Sequence, residues 1–301
     1  MITQAEFLHL PTEEVNKLVK AGGSKVIVFP FNGTRRWFLL EHGRENHTNP
    51  AQAYIDWTSK GYINTYKILF DYGLDKVIAP IFGGDILNRG EEYMEQIGAG
   101  MKLLAEHQYF LDFYEEYDVR VHFYGDYRKE LSKTPYAYLI DIFDGLTDNT
   151  SKNKGPSLFY GVFGSDATET IAELSLQIHK NTSRLPTRGE LIEHYYGEAI
   201  EKADIFIGFE KLSVFDYPLL ALGEESLYFT SAPSLYMSEP LLRNILYDHL
   251  YLRPSSEPDY FNMPINDFEA MRQFYKTNRE CAFGIGEIRG GIWYSKSGIQ
   301  E

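Results

Sequence analysis

The stretch Lys25–Trp37, KVIVFPFNGTRRW, limits the fold more than any other part of the chain. Val26, Ile27, Val28, Phe29 and Phe31 form an apolar run without polar alternation. That is the pattern of a strand covered on both faces, as in a parallel sheet with helices above and below. Asn32-Gly33 ends the run with turn chemistry, and Thr34-Arg35-Arg36-Trp37 leads into the next element. In open α/β sheets, ligands bind beyond the carboxyl ends of the strands. A glycine turn there exposes backbone N–H groups, and the forks of Arg35 and Arg36 match phosphate oxygens, so this turn is the candidate phosphate seat. Without further context the same two arginines equally describe a solvated surface pair.

The rest of the chain repeats the alternation. Strand-like runs recur at Asp75–Phe82, Val119–Gly125, Ser157–Gly164, Asp204–Phe209 and Ser226–Ala232. Between and around them lie helical patterns. Glu6–Lys20 is interrupted by Pro11, and Ala51–Tyr72 is stopped by Gly73. Glu91–Glu116, Ala167–Lys180 (with Asp166 or Ser165 as cap), Arg188–Lys202 and Glu239–Leu252 follow. Strands separated by helices of this length mean βαβ units. The expected fold is a single α/β domain spanning residues 1–301, with a central, mostly parallel sheet of about six strands flanked by helices. Two polar segments read as loops: Glu41–Pro50, and Asp144–Pro156, whose Gly, Asn, Ser and Lys content suggests a flap. The tail closes on an apolar run, AFGIGEI, near Gly290-Gly291.

With 29 basic and 43 acidic residues the net charge is −14, which argues against non-specific nucleic-acid or anionic-membrane binding. An anionic substrate therefore needs a local basic pocket. One cysteine, Cys281, excludes an internal disulfide and a cysteine-based zinc site, and fits a reducing compartment. No stretch approaches membrane-spanning length and no leader is evident, so a cytoplasmic location is expected. Aromatic residues make up 15% of the chain, with 23 tyrosines, enough for a thick core or an aromatic-lined pocket.

Few other residues suggest chemistry. Arg89, just past the Gly83-Gly84 turn after the second strand, is placed to reach the same anion as Arg36. Tyr54 and Tyr93 fall on the helices following the first and second strands, close to the expected ligand; in isolation a tyrosine so placed is more often packing than catalysis. Asp141, Asp144 and Asp148 are spaced too loosely for a metal cluster, His122 reads as a core residue, and His194 as a helix-surface residue. Neither a P-loop, GxGxxG, GxSxG nor HExxH motif occurs.

FNGTRRW, then a helix, the strand IAPIF and NRG, resembles the cis-prenyltransferase (undecaprenyl diphosphate synthase) superfamily, whose first motif has the form DGNGRW. FYGDYRK, GVFGSDA, HYYGEAIEKADIFIGF, LYFTSAPS and LYDHLYLR extend the similarity from Glu6 to about Trp293. They point to a branch that transfers terpenyl groups rather than lengthening chains. The resemblance implies a single α/β domain, usually a homodimer. It places the diphosphate on Gly33, Thr34, Arg35 and Arg36, with Arg89 nearby, and matches Tyr54 and Tyr93 to active-site tyrosines. Their rings would steady an allylic cation as aromatic cages do.

Two departures refine the expectation. Elongating members carry an RTSGExR motif for a second diphosphate; here Ile207–Ser213 reads IGFEKLS, without arginine, so elongation is not expected. The family's first-motif aspartate is Asn32 here. An aspartate holds Mg²⁺ or acts as a base, whereas an amide does neither well but donates to a phosphate oxygen. Mg²⁺ is thus a doubtful cofactor, and no metal ligand is assigned. The resemblance implies a transferase that ionises an allylic, C20 diterpenyl diphosphate, releases pyrophosphate and passes the terpenyl cation to adenosine. The alternatives are a terpene synthase that quenches the cation with water or by proton loss, and, prompted by Asn32, a non-catalytic prenyl-diphosphate binder.

Overall fold

The computed structural model describes residues 2–23, 25–84, 90–253 and 258–296, the side chains of 91–93 and 96 excepted. Arg89 lies outside the described residues, and so does the side chain of Tyr93.

Six strands, β1 (Val26–Val28), β2 (Lys76–Phe82), β3 (Arg120–Tyr124), β4 (Ser157–Val162), β5 (Ile205–Phe209) and β6 (Ser226–Thr230), form one sheet of order β3-β4-β2-β1-β5-β6. Every pairing in it is parallel. Because side chains alternate across a strand, each apolar run feeds two cores. Ile27, Phe29, Val77, Ala79, Val121, Phe123, Leu158, Tyr160, Ile205 and Ile207 point to one face. Val26, Val28, Ile78, Tyr124, Phe159 and Phe206 point to the other.

The larger face is covered by α1 (Gln4–Leu8), α2 (Thr12–Lys20), α4 (Pro50–Asp71), α5 (Glu91–Glu106), α6 (Gln108–Glu116), α8 (Tyr138–Thr150) and α11 (Glu239–Tyr247). α9 (Thr168–Thr182) and α10 (Arg188–Tyr196) cover the second face. The short α3 (Thr34–Glu41) and α7 (Tyr127–Leu131) follow β1 and β3 directly. β1 is flanked by β2 on one side and β5 on the other, so the chain leaves it in one direction and returns from the opposite one. The crevice beyond β1 is the switch point where ligands of such sheets sit.

Several expected boundaries move, each for a local reason. Only the second half of the expected Asp144–Pro156 loop is one: Asp144–Thr150 completes α8, because Leu139, Phe143, Leu146 and Thr150 recur at helical spacing and are buried, and this outweighs the polar composition of the exposed face, while residues 151–156 are turn and irregular chain leading into β4. The long helix Glu91–Glu116 breaks at His107, which is extended (φ −74°, ψ 131°) and accepts from the Tyr109 N–H as the cap of α6. Arg188–Lys202 stops at Gly197, left-handed at φ 82°. Glu239–Leu252 ends in a turn of π-helix, Asp248–Leu252. Thr34–Trp37, read only as a lead-in, is the first turn of α3. Ser165 does not cap α9; its hydroxyl accepts from the Gly84 N–H at 2.9 Å and ties the ends of β2 and β4, while Asp166 accepts from Thr168 N–H at 3.0 Å. Beyond residue 258 the sequence reading named only an apolar run; the chain there forms α12 (Ile265–Asn278) and a hairpin of β7 (Gly286–Arg289) with β8 (Ile292–Ser295).

At the sheet's opposite end, Glu198 clamps two strands. Arg120 donates to its carboxylate at 3.1 and 3.3 Å, Ser157 at 3.1 Å, and His122 Nε2 lies 3.0 Å away. Burial raises the Glu198 pKa, but the hydrogen bonds from His122 and Arg120 and their charge outweigh it, leaving it at about 2 against an ordinary 4.5. A depressed carboxylate pKa contributes stability that is complete above the ordinary value and is lost as pH falls through 4.5 towards 2, here on the order of 2–3 kcal/mol. Urea unfolding should therefore show wild type losing stability over that window. Glu198→Gln should already be weakened at pH 7 and lose less over the same window; identical acid limbs for the two proteins would contradict this role.

Candidate active site

The seat begins where β1 runs out. After Val28 the chain passes through buried Phe29 and Phe31 to Asn32, and Gly33 then takes a left-handed backbone, φ 74°, as the N-cap of α3. A side chain is excluded there twice over. The backbone favours glycine, and a Cβ would lie 2.7 Å from the Phe209 ring and 3.1 Å from Pro233. The turn is pinned from β6: Ser234 Oγ accepts from Asn32 N–H at 3.0 Å and donates to Pro30 O at 3.1 Å, and Ser234 N–H donates to Asn32 O at 3.1 Å. Loops from β1, β5 and β6 thus converge on one point.

Thr34, the first residue of α3, shares a 2.9 Å hydrogen bond between its hydroxyl and that of Tyr54 on α4. This helix carries an aromatic stripe leading inward from the seat. Tyr62 and Tyr66 follow Tyr54 on it, with the Phe31 ring 4.2 Å from Tyr62 and 5.2 Å from Tyr66. Burial raises the Tyr62 hydroxyl pKa, the nearby Tyr54 adds to it and Thr34 opposes it, so the group is a neutral phenol at physiological pH. Deeper in the same layer Tyr114 and Tyr160 share a 2.8 Å hydrogen bond. Phe38 packs edge-on against Tyr54 at 5.4 Å. The structure thus sets the first N–H groups of α3 and the Arg36 cation at the mouth of the candidate seat, with aromatic faces behind them.

Arg36 is half-buried and has a built environment. Its guanidinium lies 4.7 Å over the Phe209 ring, and its two terminal nitrogens donate to the two carboxylate oxygens of Glu210 at 3.3 and 2.6 Å. Arg35 is exposed on the neighbouring position of α3. Of the residues expected from sequence, the structure brings together Asn32, Gly33, Thr34, Arg36 and Tyr54. Tyr93 stands in the first turn of α5, its backbone alone described.

No protein-family model matches the chain. Over 299 residues, 98% of this chain and 99% of the relative, it is 45% identical to tuberculosinyl adenosine transferase from Mycobacterium tuberculosis. The chain belongs to the tuberculosinyl adenosine transferase family. It is also 28% identical over 302 residues, 98% of this chain and 96% of the relative, to (+)-kolavelool synthase from Herpetosiphon aurantiacus. Among solved structures, lavandulyl diphosphate synthase from Lavandula x intermedia, in complex with dimethylallyl diphosphate, superposes with a TM-score of 0.56 at 16% identity, over 77% of this chain and 97% of that one. A probable undecaprenyl diphosphate synthase from Campylobacter jejuni gives 0.55 at 11% identity over the same shares. This tuberculosinyl adenosine transferase family member therefore has the cis-prenyltransferase fold.

Sequence reasoning did not single out Phe209, Glu210, Pro233 and Ser234, which stand beside the candidate seat. The rule that found Gly33, that ligands gather beyond the carboxyl ends of strands, also points to Phe209-Glu210 at the end of β5 and Pro233-Ser234 past β6. They were passed over because neither carries a cationic side chain. Among the described residues no group of three or more His, Cys, Asp or Glu is placed to hold a metal ion. Among the described residues, the carboxylate beside the candidate seat is already paired with Arg36 and Asn32 is neutral, a donor set that does not by itself fit a divalent cation.

Proposed function

We propose that the chain is a terpenyl transferase: it ionises an allylic, C20 diterpenyl diphosphate on Gly33, Thr34, Arg35 and Arg36 and passes the terpenyl cation to adenosine. The carrying observation is the convergence of the left-handed Gly33 turn, the Thr34–Tyr54 hydrogen bond and the Arg36 fork at the end of β1, in a chain 45% identical to an enzyme named for that transfer. Arg89 is assigned to the same diphosphate by the sequence resemblance alone.

As the donor C–O bond breaks, its electron pair leaves with the pyrophosphate. Negative charge grows on the oxygens facing Arg36 and the first N–H groups of α3, where fixed donors lower the barrier most. The cation left behind is steadied by the π faces of Tyr54 and Tyr62, and Tyr93 is assigned the same part by the sequence resemblance alone. Asn32 has the right chemistry to donate its amide N–H to a phosphate oxygen; it replaces a family aspartate, so charge neutralisation falls on the arginines, and added Mg²⁺ should change turnover little. Tyr54→Phe should cost less than Tyr54→Ala in turnover, because the phenylalanine ring keeps the face and loses only the bond to Thr34.

A second reading, terpene synthase, is favoured by the similarity to (+)-kolavelool synthase and needs the same seat with water as the quencher. Mass spectrometry of products from C15 and C20 allylic diphosphates, with and without adenosine and Mg²⁺, separates the readings. A prenylated nucleoside supports the transferase; a free alcohol or hydrocarbon as sole product supports the synthase; tight donor binding without pyrophosphate release supports a non-catalytic binder.

We read the enzyme as a cytoplasmic homodimer. Among the described residues no helix is long and apolar enough to cross a membrane. The segment from Tyr260 onward leaves Phe261, Ile265, Phe274, Tyr275 and Phe283 exposed, apolar surface that suits contact with a second copy.

A further inference from the structure

The ion pair at the mouth of the seat poses a problem of occupancy. Both terminal nitrogens of Arg36 are bonded to the Glu210 carboxylate, and a diphosphate needs the same fork. Glu210 cannot withdraw by moving its backbone cheaply: the residue sits in the left-handed region at φ 67°, and its N–H donates to Thr230 O at 3.1 Å. Its side chain, 20% exposed against 40% for Arg36, is the part that is able to swing. With its Arg36 end partly in solvent the single ion pair is modest in strength, whereas a diphosphate carries several charges and meets the N–H groups of α3 as well. The donor therefore displaces the carboxylate and leaves it free beside the seat.

We propose that Glu210 is the recognition residue for the acceptor base, held by Arg36 in the empty site and released to the acceptor when the donor's diphosphate takes its place. This rests on the diphosphate seat and nucleoside acceptor proposed above. The chemistry of the step asks for a carboxylate there. When a neutral ring nitrogen gives its lone pair to the terpenyl cation, a C–N bond forms, and the positive charge passes to the base. The exocyclic amino group of that base becomes a stronger hydrogen-bond donor as the charge arrives. An anionic acceptor beside it stabilises the charge where it develops. The arrangement also sets an order: the nucleoside finds its partner only after the donor has freed it, so ionisation does not begin in a site that the acceptor already blocks.

Titration calorimetry with inorganic pyrophosphate and adenosine tests this without turnover. For the wild-type protein, adenosine should bind about tenfold more tightly when pyrophosphate is saturating than without it. Glu210→Ala should bind pyrophosphate more tightly than wild type, by about fivefold or less, since the competing carboxylate is gone. It should bind adenosine more weakly and show no gain on adding pyrophosphate. Glu210→Gln keeps the side-chain shape and guards against a folding defect; it should share the tighter pyrophosphate binding. A variant that weakens both ligands, or a wild-type adenosine affinity indifferent to pyrophosphate, overturns the proposal. Failure of the seat itself has a different signature, pyrophosphate binding that ignores Arg36→Ala, and overturns both.

Discussion

Arg36→Ala is expected to slow single-turnover pyrophosphate release by roughly 10² to 10³-fold, the cost typical of removing one preorganised donor from a developing charge. The guanidinium is stacked 4.7 Å over Phe209 and faces the crevice at the switch point of the sheet, so its orientation is set before the substrate arrives. Most of the loss should fall on kcat rather than KM, because charge grows on the diphosphate oxygens as the C–O bond stretches. Arg36→Lys should rescue little: an ammonium keeps the charge but neither stacks flat on Phe209 nor presents two parallel donors. Rapid-quench measurement of pyrophosphate release decides it, and turnover within a few-fold of wild type would mean that the diphosphate sits elsewhere.

Gly33→Val should be nearly as damaging, by another route. A β-branched residue at φ 74° carries a conformational cost of order 1–3 kcal/mol by itself. Its Cβ would also meet the Phe209 ring at 2.7 Å, the ring on which Arg36 rests. Relief of that contact moves Phe209, and with it the guanidinium. Urea denaturation should show a loss of about 2–4 kcal/mol, and the folded protein should still bind pyrophosphate poorly at low temperature. Unchanged pyrophosphate affinity in a folded Gly33→Val protein would detach the Phe209–Arg36 platform from function.

The sheet was legible in the sequence because parallel strands covered on both faces write themselves as continuous apolar runs, and all six runs named from sequence are strands. Asp144–Thr150 was misread because its composition is that of a loop while its periodicity is that of a helix: Leu146 and Thr150 continue the buried line from Leu139 and Phe143, and only residues 151–156 keep the expected loop. That Gly33, Thr34 and Arg36 stand at the end of β1 was legible from turn chemistry and the rule for strand ends, and that Tyr54 stands near them from its place on a helix after that strand. Their partners were not. Arg36 and Glu210 are 174 residues apart, Asn32 and Ser234 are 202 apart, and no local pattern ties such pairs; the parallel register of β1 with β5 and β5 with β6 does. The sequence shows that the IGFEKLS stretch carries no arginine; only the fold shows that its Glu210 holds the Arg36 fork.

The account turns on where the diphosphate binds. A crystal structure of the wild-type protein with inorganic pyrophosphate tests that most directly. The result expected is an anion cradled by the N–H groups of Gly33, Thr34 and Arg35, bridged by the Arg36 fork, with the Glu210 side chain swung away. An anion seated instead in the groove of about 760 Å³ beside Arg243 between α1 and α11, with the Arg36–Glu210 pair intact, would contradict it.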